Sequence, residues 1–202
     1  MDTFMGTTMT VHMVIGMLAG TITFLSHPLY MAAIVRGETK PHVLTWVPSA
    51  IIAGITLFLY DKVGGEETIY APLGDFVGLS IIAMLTLWRG ERGSIKSIEI
   101  EDWFCAAIAM IGLGIYVAFD NPLIAFGASM VAEVFALAPT MRKTIRFPEQ
   151  EDFVAWTFTF CGNALNFLAM NNMIEIVYVV VIFTADGIIW ALILKGRMKK
   201  RT

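Results

Sequence analysis

The chain has 202 residues, of which 57% are hydrophobic and only 15% charged, and its mean hydropathy is +0.71. A soluble domain carries about 25% charged residues, and no polar stretch here is long enough to enclose a core, so a separate soluble domain is excluded. The net charge of −3 averages over two sides of very different character.

Apolar runs bounded by charged or turn residues predict seven spans, most of them near the ~17–20 residues that cross about 30 Å of hydrocarbon. The first covers 11–35, with His27 and Pro28 in its later part and a basic segment, Arg36 to Lys40, after it. No basic leader with a cleavage site precedes it, so it is expected to be retained. The second, 43–60, opens with Trp46 and Pro48, and a polar loop from Asp61 to Glu67 follows. The third, 72–89, carries Asp75 near its start and Ser80 further in, and ends at Arg89-Gly90. The fourth covers 102–119. Asp120-Asn121-Pro122 reads as a tight turn with Pro122 as the first residue of the fifth helix, 122–141, which holds Glu133 and Pro139. The sixth, 153–170, contains Trp156, Asn163 and Asn166, and the seventh, 174–195, has Asp186 near its middle. Runs of this length without period-two alternation are helices rather than barrel strands. Cys105 and Cys161 both fall inside apolar runs, which argues against a structural disulfide.

The basic residues orient the chain. If seven helices cross, thirteen of the fourteen Lys and Arg fall on one side and only Lys62 on the other. Enrichment of Lys and Arg in cytoplasmic loops then places the amino terminus outside and the carboxyl terminus in the cytoplasm, in a plasma (inner) membrane. Trp46, Trp103 and Trp156 fall just inside the cytoplasmic boundary, where interface anchoring accounts for them. The basic tail from Lys195 to Arg201 reads as a topology signal in contact with anionic membrane lipid.

An internal repeat organises the spans. Ser26-His27-Pro28-Leu29-Tyr30-Met31 is followed by a basic loop and Trp46-Val47-Pro48; later, Leu137-Ala138-Pro139-Thr140-Met141 is followed by a basic loop and Trp156-Thr157-Phe158. Pro28 to Trp46 is 18 residues and Pro139 to Trp156 is 17, so the copies align with one gap. Two three-helix units can share an orientation only if a further helix joins them, because three crossings reverse the chain. The expected fold is therefore an all-α membrane protein of seven transmembrane helices in a 3+1+3 arrangement: a first three-helix repeat over 1–100, a linker helix over 101–120 and a second, parallel repeat over 121–202.

With these residues the chain resembles the PQ-loop and SWEET superfamily of small heptahelical membrane transporters, and the PQ-loop type more than the SWEETs. The proline, the basic loop and Gly162-Asn163-Ala164-Leu165-Asn166 carry the resemblance, while Leu29 and Thr140 stand where that family has glutamine. It implies transport of a small polar solute such as a sugar, an amino acid or a vitamin. Sorting receptors of the superfamily keep a ligand-sensing receptor or membrane scaffold as the alternative on the same fold.

Candidate functional residues follow from depth. Pro28 and Pro139 each remove a backbone hydrogen bond, and serve either as hinges for alternating access or as static kinks. Asn163 and Asn166 share a helical face near mid-membrane, positioned to bind substrate or a neighbouring helix. Asp186 and Glu133 are ionisable groups at a depth that costs about 2.5–3.5 kcal/mol on insertion scales; they read as substrate-binding or proton-coupling groups, or as neutral structural acids. Aligning the helix ends sets Ser80 opposite Asp186 as a further binding candidate. His27 titrates near neutrality and is a third proton-coupling candidate, or simply a hydrogen-bonded bundle residue. No metal-ligand spacing, nucleophile elbow or phosphate-cradling loop is present, so neither an enzyme, a cofactor nor a nucleic-acid partner is expected. The chain is expected to work on a small polar solute, as a monomer or a homo-oligomer.

Overall fold

In hydrocarbon there is no water to bond a backbone N–H or C=O, so an apolar chain must satisfy these groups within itself, as a helix does. The computed structural model describes residues 11–89 and 121–199, together with residues 100, 103, 104, 107, 111 and 114. Among the described residues the chain is all-α, with six helices and no strand: α1 (Val11–Arg36), α2 (Val43–Tyr60), α3 (Tyr70–Arg89), α4 (Pro122–Arg146), α5 (Phe153–Asn166) and α6 (Met173–Lys199). Five of them, all but α5, are long and apolar enough to cross a membrane, and the chain is an integral membrane protein. The expected span over 102–119 lies outside the described residues except at the isolated positions named above, which are helical.

The helix ends follow local chemistry. Asn121 caps α4, its side chain accepting from the N–H groups of Leu123 and Ile124, with Pro122 next in line as the spacing predicts. Asp152 caps α5 by accepting from Ala155 N–H. Two expectations on length are corrected. The basic run after residue 141 is the last turn of α4, which continues to Arg146, with the Thr144 hydroxyl bonded back to Thr140 O. The sixth predicted span stops early, because after Asn166 the chain tightens into turns from Phe167, Leu168 and Ala169 back to residues 164–166. The 14 residues of α5 extend roughly 21 Å, short of the ~30 Å of a bilayer core.

Helix directions can be read from which residues meet. Along the α1–α3 interface, Gly16 lies on Glu67, Gly20 on Tyr70, Gly74 on Phe24 and Gly78 on the His27 ring, so both chains ascend together and the helices are parallel. Between α1 and α5 the order reverses, Gly162 meeting Thr23 while Trp156 meets Tyr30. One apolar cluster unites the late residues of α1, α3, α4 and α6 with the early residues of α2 and α5. A second unites the early residues of α3, α4 and α6 with the end of α2. Thus α1, α3, α4 and α6 run one way and α2 and α5 the other. The first cluster marks the end of the bundle where Arg36, Lys143, Arg146 and Lys195 lie, called the basic end below.

The six helices pack in a ring, in the order α1, α3, α2, α4, α6, α5 and back to α1. Exchanging the first three helices for the last three (α1 for α4, α2 for α5, α3 for α6) maps this order onto itself. The two joints between the halves differ in chemistry. At α1–α5 Gly162 admits the α1 backbone, whereas α2–α4 is joined by hydroxyl pairs, Thr56 with Ser129 at 3.2 Å and Thr140 with Thr45 at 3.0 Å.

The close approach of α1 and α3 gives a test. A Cβ on Gly20 would fall 2.8 Å from Tyr70, whereas one on Gly127 meets nothing within 4 Å. Gly20→Ala is expected to lower the thermal midpoint in detergent, at an overpacking cost of about 1–3 kcal/mol. Gly127→Ala should leave it unchanged or raise it, since alanine gains ~0.5–1 kcal/mol over glycine within a helix. Equal shifts for the two would contradict the packing described.

Candidate functional site

Enclosing polar residues inside a ring of helices creates a cavity wherever their side chains do not fill the centre. Here a cavity of about 60 Å³ lies among residues of all six helices. α1 contributes Ser26, His27 and Tyr30, α2 Trp46, α3 Asp75, α4 Glu133, α5 Trp156 and Thr159, and α6 Asp186, with apolar residues between them. By the ~10–15 Å³ that one water requires, the space holds roughly four to six waters. Among the described residues no lysine or arginine lines it.

Local backbone chemistry places His27. Pro28 has no N–H, so the carbonyl four residues earlier, Phe24 O, loses its helical partner. His27 Nδ1 takes that carbonyl at 3.2 Å, and because a carbonyl only accepts, Nδ1 carries a proton. The opposite nitrogen, Nε2, then faces Asp75 Oδ1 at 3.6 Å. A proton on Nε2 or on Oδ1 makes that contact attractive. The other Asp75 oxygen accepts from the Tyr178 hydroxyl at 3.0 Å. Gly78 leaves room for the imidazole, since a Cβ there would overlap the ring.

The remaining acids are held less completely. Asp186 Oδ2 accepts from Asn163 Nδ2 at 2.9 Å, and Asp75 and Glu133 line the same cavity. Glu133 Oε2 has no hydrogen-bond partner, and neither does the buried Ser49 hydroxyl of α2. Among the described residues no three His, Cys, Asp or Glu converge as a metal site would require.

Toward the basic end three rings line the cavity: Tyr30 and Trp46 with centroids 4.8 Å apart, and Trp156 within 6.4 Å of both. Trp46 and Trp156 are 4% and 5% exposed, which corrects their reading as interface anchors. Both sit one turn inside a helix start and point into the ring, where apolar burial outweighs any headgroup contact. Beneath them lies buried Glu151, from the α4–α5 connection. Its Oε2 accepts from the Tyr30 hydroxyl and from Trp156 Nε1, both at 2.9 Å, and its Oε1 pairs with Lys143, which also reaches Lys40 O.

A second buried glutamate serves the opposite end. Glu175, in the first turn of α6, accepts from the N–H groups of Glu66, Glu67 and Thr68 through Oε1 and of Asn171 through Oε2. Asn172 caps the same helix by accepting from Glu175 N–H. Each glutamate belongs to the second three-helix group and grips a part of the first.

The structure thus brings His27, Glu133 and Asp186 together at the cavity, with Asn163 behind Asp186 as a positioning residue. Asn166 is fully buried, lies off the cavity, and its amide atoms have no hydrogen-bond partner. Ser80 does not line the cavity; α3 supplies Asp75 instead, the acid near its start. Pro28 faces outward and is exposed, whereas Pro139 is buried. Asp75, Tyr30, Tyr178, Glu151 and Glu175 escaped the sequence reading. For Glu151 a signal existed: Glu149, Glu151 and Asp152 cluster acid charge in the connection that follows the basic residues Arg142, Lys143 and Arg146. No family model, no curated protein and no solved structure matches the chain.

Two outcomes test this geometry. Pro28→Ala restores an N–H to Phe24 O, and the ¹⁵N shifts of the His27 ring are expected to move from a fixed Nδ1–H form to a tautomer mixture. Glu151→Ala leaves Tyr30, Trp156 and Lys143 without their shared acceptor, and thermal unfolding is expected to show a loss of about 3–5 kcal/mol. Glu151→Gln, which still offers an oxygen to both rings, should lose less.

Proposed function

We propose that the protein is a small membrane transporter of seven transmembrane helices that moves a small polar solute through its central cavity by alternating access. One observation carries this reading: a largely apolar cavity that holds His27, Asp75, Glu133 and Asp186, lined by all six described helices, between two groups of three whose packing order exchanges one for the other. Two parallel three-helix repeats joined by a fourth helix produce such an exchange. α3 and α4 run in the same direction, which fits an odd number of crossings between them, and the span expected over 102–119 supplies one. The gathering of basic residues at one end favours that end as cytoplasmic and an outside amino terminus.

Alternating access requires that each end open while the other stays shut. Glu151 ties the halves at the basic end and Glu175 ties them at the other, and each is a set of hydrogen bonds that rocking of one half would break. Pro28 and Pro139 supply bending points in α1 and α4. Proton coupling has its groups at hand in His27, Asp75, Glu133 and Asp186, which face one small cavity from four helices.

Reconstituted protein is expected to give saturable, protein-dependent solute uptake into liposomes that an imposed pH gradient accelerates. Unchanged gradient dependence in Asp75→Asn, Glu133→Gln and Asp186→Asn would remove the coupling and leave facilitated diffusion. Tight ligand binding without flux of any sugar, amino acid, vitamin or amine would overturn transport in favour of a sensor.

A further inference from the structure

The lining of the cavity selects among solutes. Asp75 has a neighbour within the protein at each oxygen, the Tyr178 hydroxyl donating to Oδ2 at 3.0 Å and His27 Nε2 facing Oδ1 at 3.6 Å. Glu133 and Asp186 are held less completely. Each is 8% exposed and lines the cavity, Asn163 occupies only one oxygen of Asp186, and Glu133 Oε2 is buried without a hydrogen-bond partner. A buried carboxylate oxygen without a donor is costly, and its natural complement is a ligand that brings N–H groups and positive charge. Across the cavity the rings of Tyr30, Trp46 and Trp156 form a surface suited to a cation and to the alkyl carbons attached to it.

Resting on the reading of this cavity as the binding site, we infer that its ligand is a small primary ammonium ion, held by Glu133 and Asp186 and packed against Tyr30, Trp46 and Trp156. An ammonium head has three donors and no acceptor, which matches the free carboxylate oxygens. Volume limits the ligand to a few heavy atoms, since the space in this conformation is that of roughly four to six waters. The same lining rejects other classes. A zwitterion or an anion would bring a carboxylate toward Asp75, Glu133 and Asp186 with no lysine or arginine among the lining residues to receive it. A sugar would leave the acids without countercharge. Among the described residues no three metal-ligating side chains converge, which disfavours a bare metal ion.

The test uses the full chain, purified in detergent and in liposomes, at fixed sodium chloride concentration. Ethylammonium is compared with ethanol (neutral, same number of heavy atoms), formate (anion) and glycine (zwitterion). Ethylammonium alone is expected to raise the thermal midpoint saturably and to give a transient inward current after a concentration jump. Glu133→Gln and Asp186→Asn should each raise its half-saturating concentration at least ten-fold, and Trp46→Leu about three-fold or more. Trp46→Phe keeps a ring and should stay within about two-fold of the parent, which guards against loss through misfolding alone. Affinity unchanged by both acid substitutions overturns the inference, as does binding of glycine or ethanol equal to that of ethylammonium. Saturable uptake of a neutral solute without ethylammonium binding overturns it while leaving transport intact. Ethylammonium binding without any flux upholds the ligand class and overturns the transport reading instead.

Discussion

Every polar group drawn into an apolar bundle must find its partner inside the protein, and the arrangement of this chain follows from that constraint. Helices satisfy the backbone; side chains then need each other. His27, Asp75, Tyr178, Asn163 and Asp186 answer one another across four helices. Their outward faces, such as Leu18, Leu25, Met84, Leu87 and Val131, remain apolar and exposed for lipid. A ring of six helices turns all the polar faces to one centre, and the cavity is what remains there.

Within that ring, a single missing N–H has long reach. Pro28 frees Phe24 O, the carbonyl fixes the proton on His27 Nδ1, and the ring is thereby aimed at Asp75. Gly78 permits the approach, and Gly16 and Gly20 hold α1 against α3 so that the two residues come level. A proline at the same place in the later repeat, Pro139, has no such neighbour, because Ala138 stands where His27 does. The two groups of three helices match in packing order and differ in chemistry, so the cavity between them is lopsided: one group brings an acid with a neighbour at each oxygen, the other two acids with atoms to spare.

The ends of the bundle show the same division. Glu151 and Glu175 both come from the second half and both grip the first, one through the Tyr30 hydroxyl, the other through backbone N–H groups. A carboxylate with several donors is a strong tie, and one such tie lies near each end of the bundle.

Local signals were enough for the helical class, the start of α2 and its end, Pro122 as a helix opener, and the depth of Glu133 and Asp186, because each rests on nearest neighbours in the chain and on the cost of charge in hydrocarbon. The repeated proline, basic loop and tryptophan pointed to the exchange of halves that the packing order displays. Tertiary structure alone decided the rest. Asp75 looks like a solvated helix-end residue until α1 sets His27 beside it, and Trp46 and Trp156 look like interface anchors until the ring closes over them. Asn163 and Asn166 are alike in sequence, three residues apart, yet only Asn163 reaches an acid, because the chain tightens into a turn after Asn166. Spacing along one helix tells which residues share a face; which residue of another helix meets that face depends on close approaches between backbones, and these lie far apart in the chain.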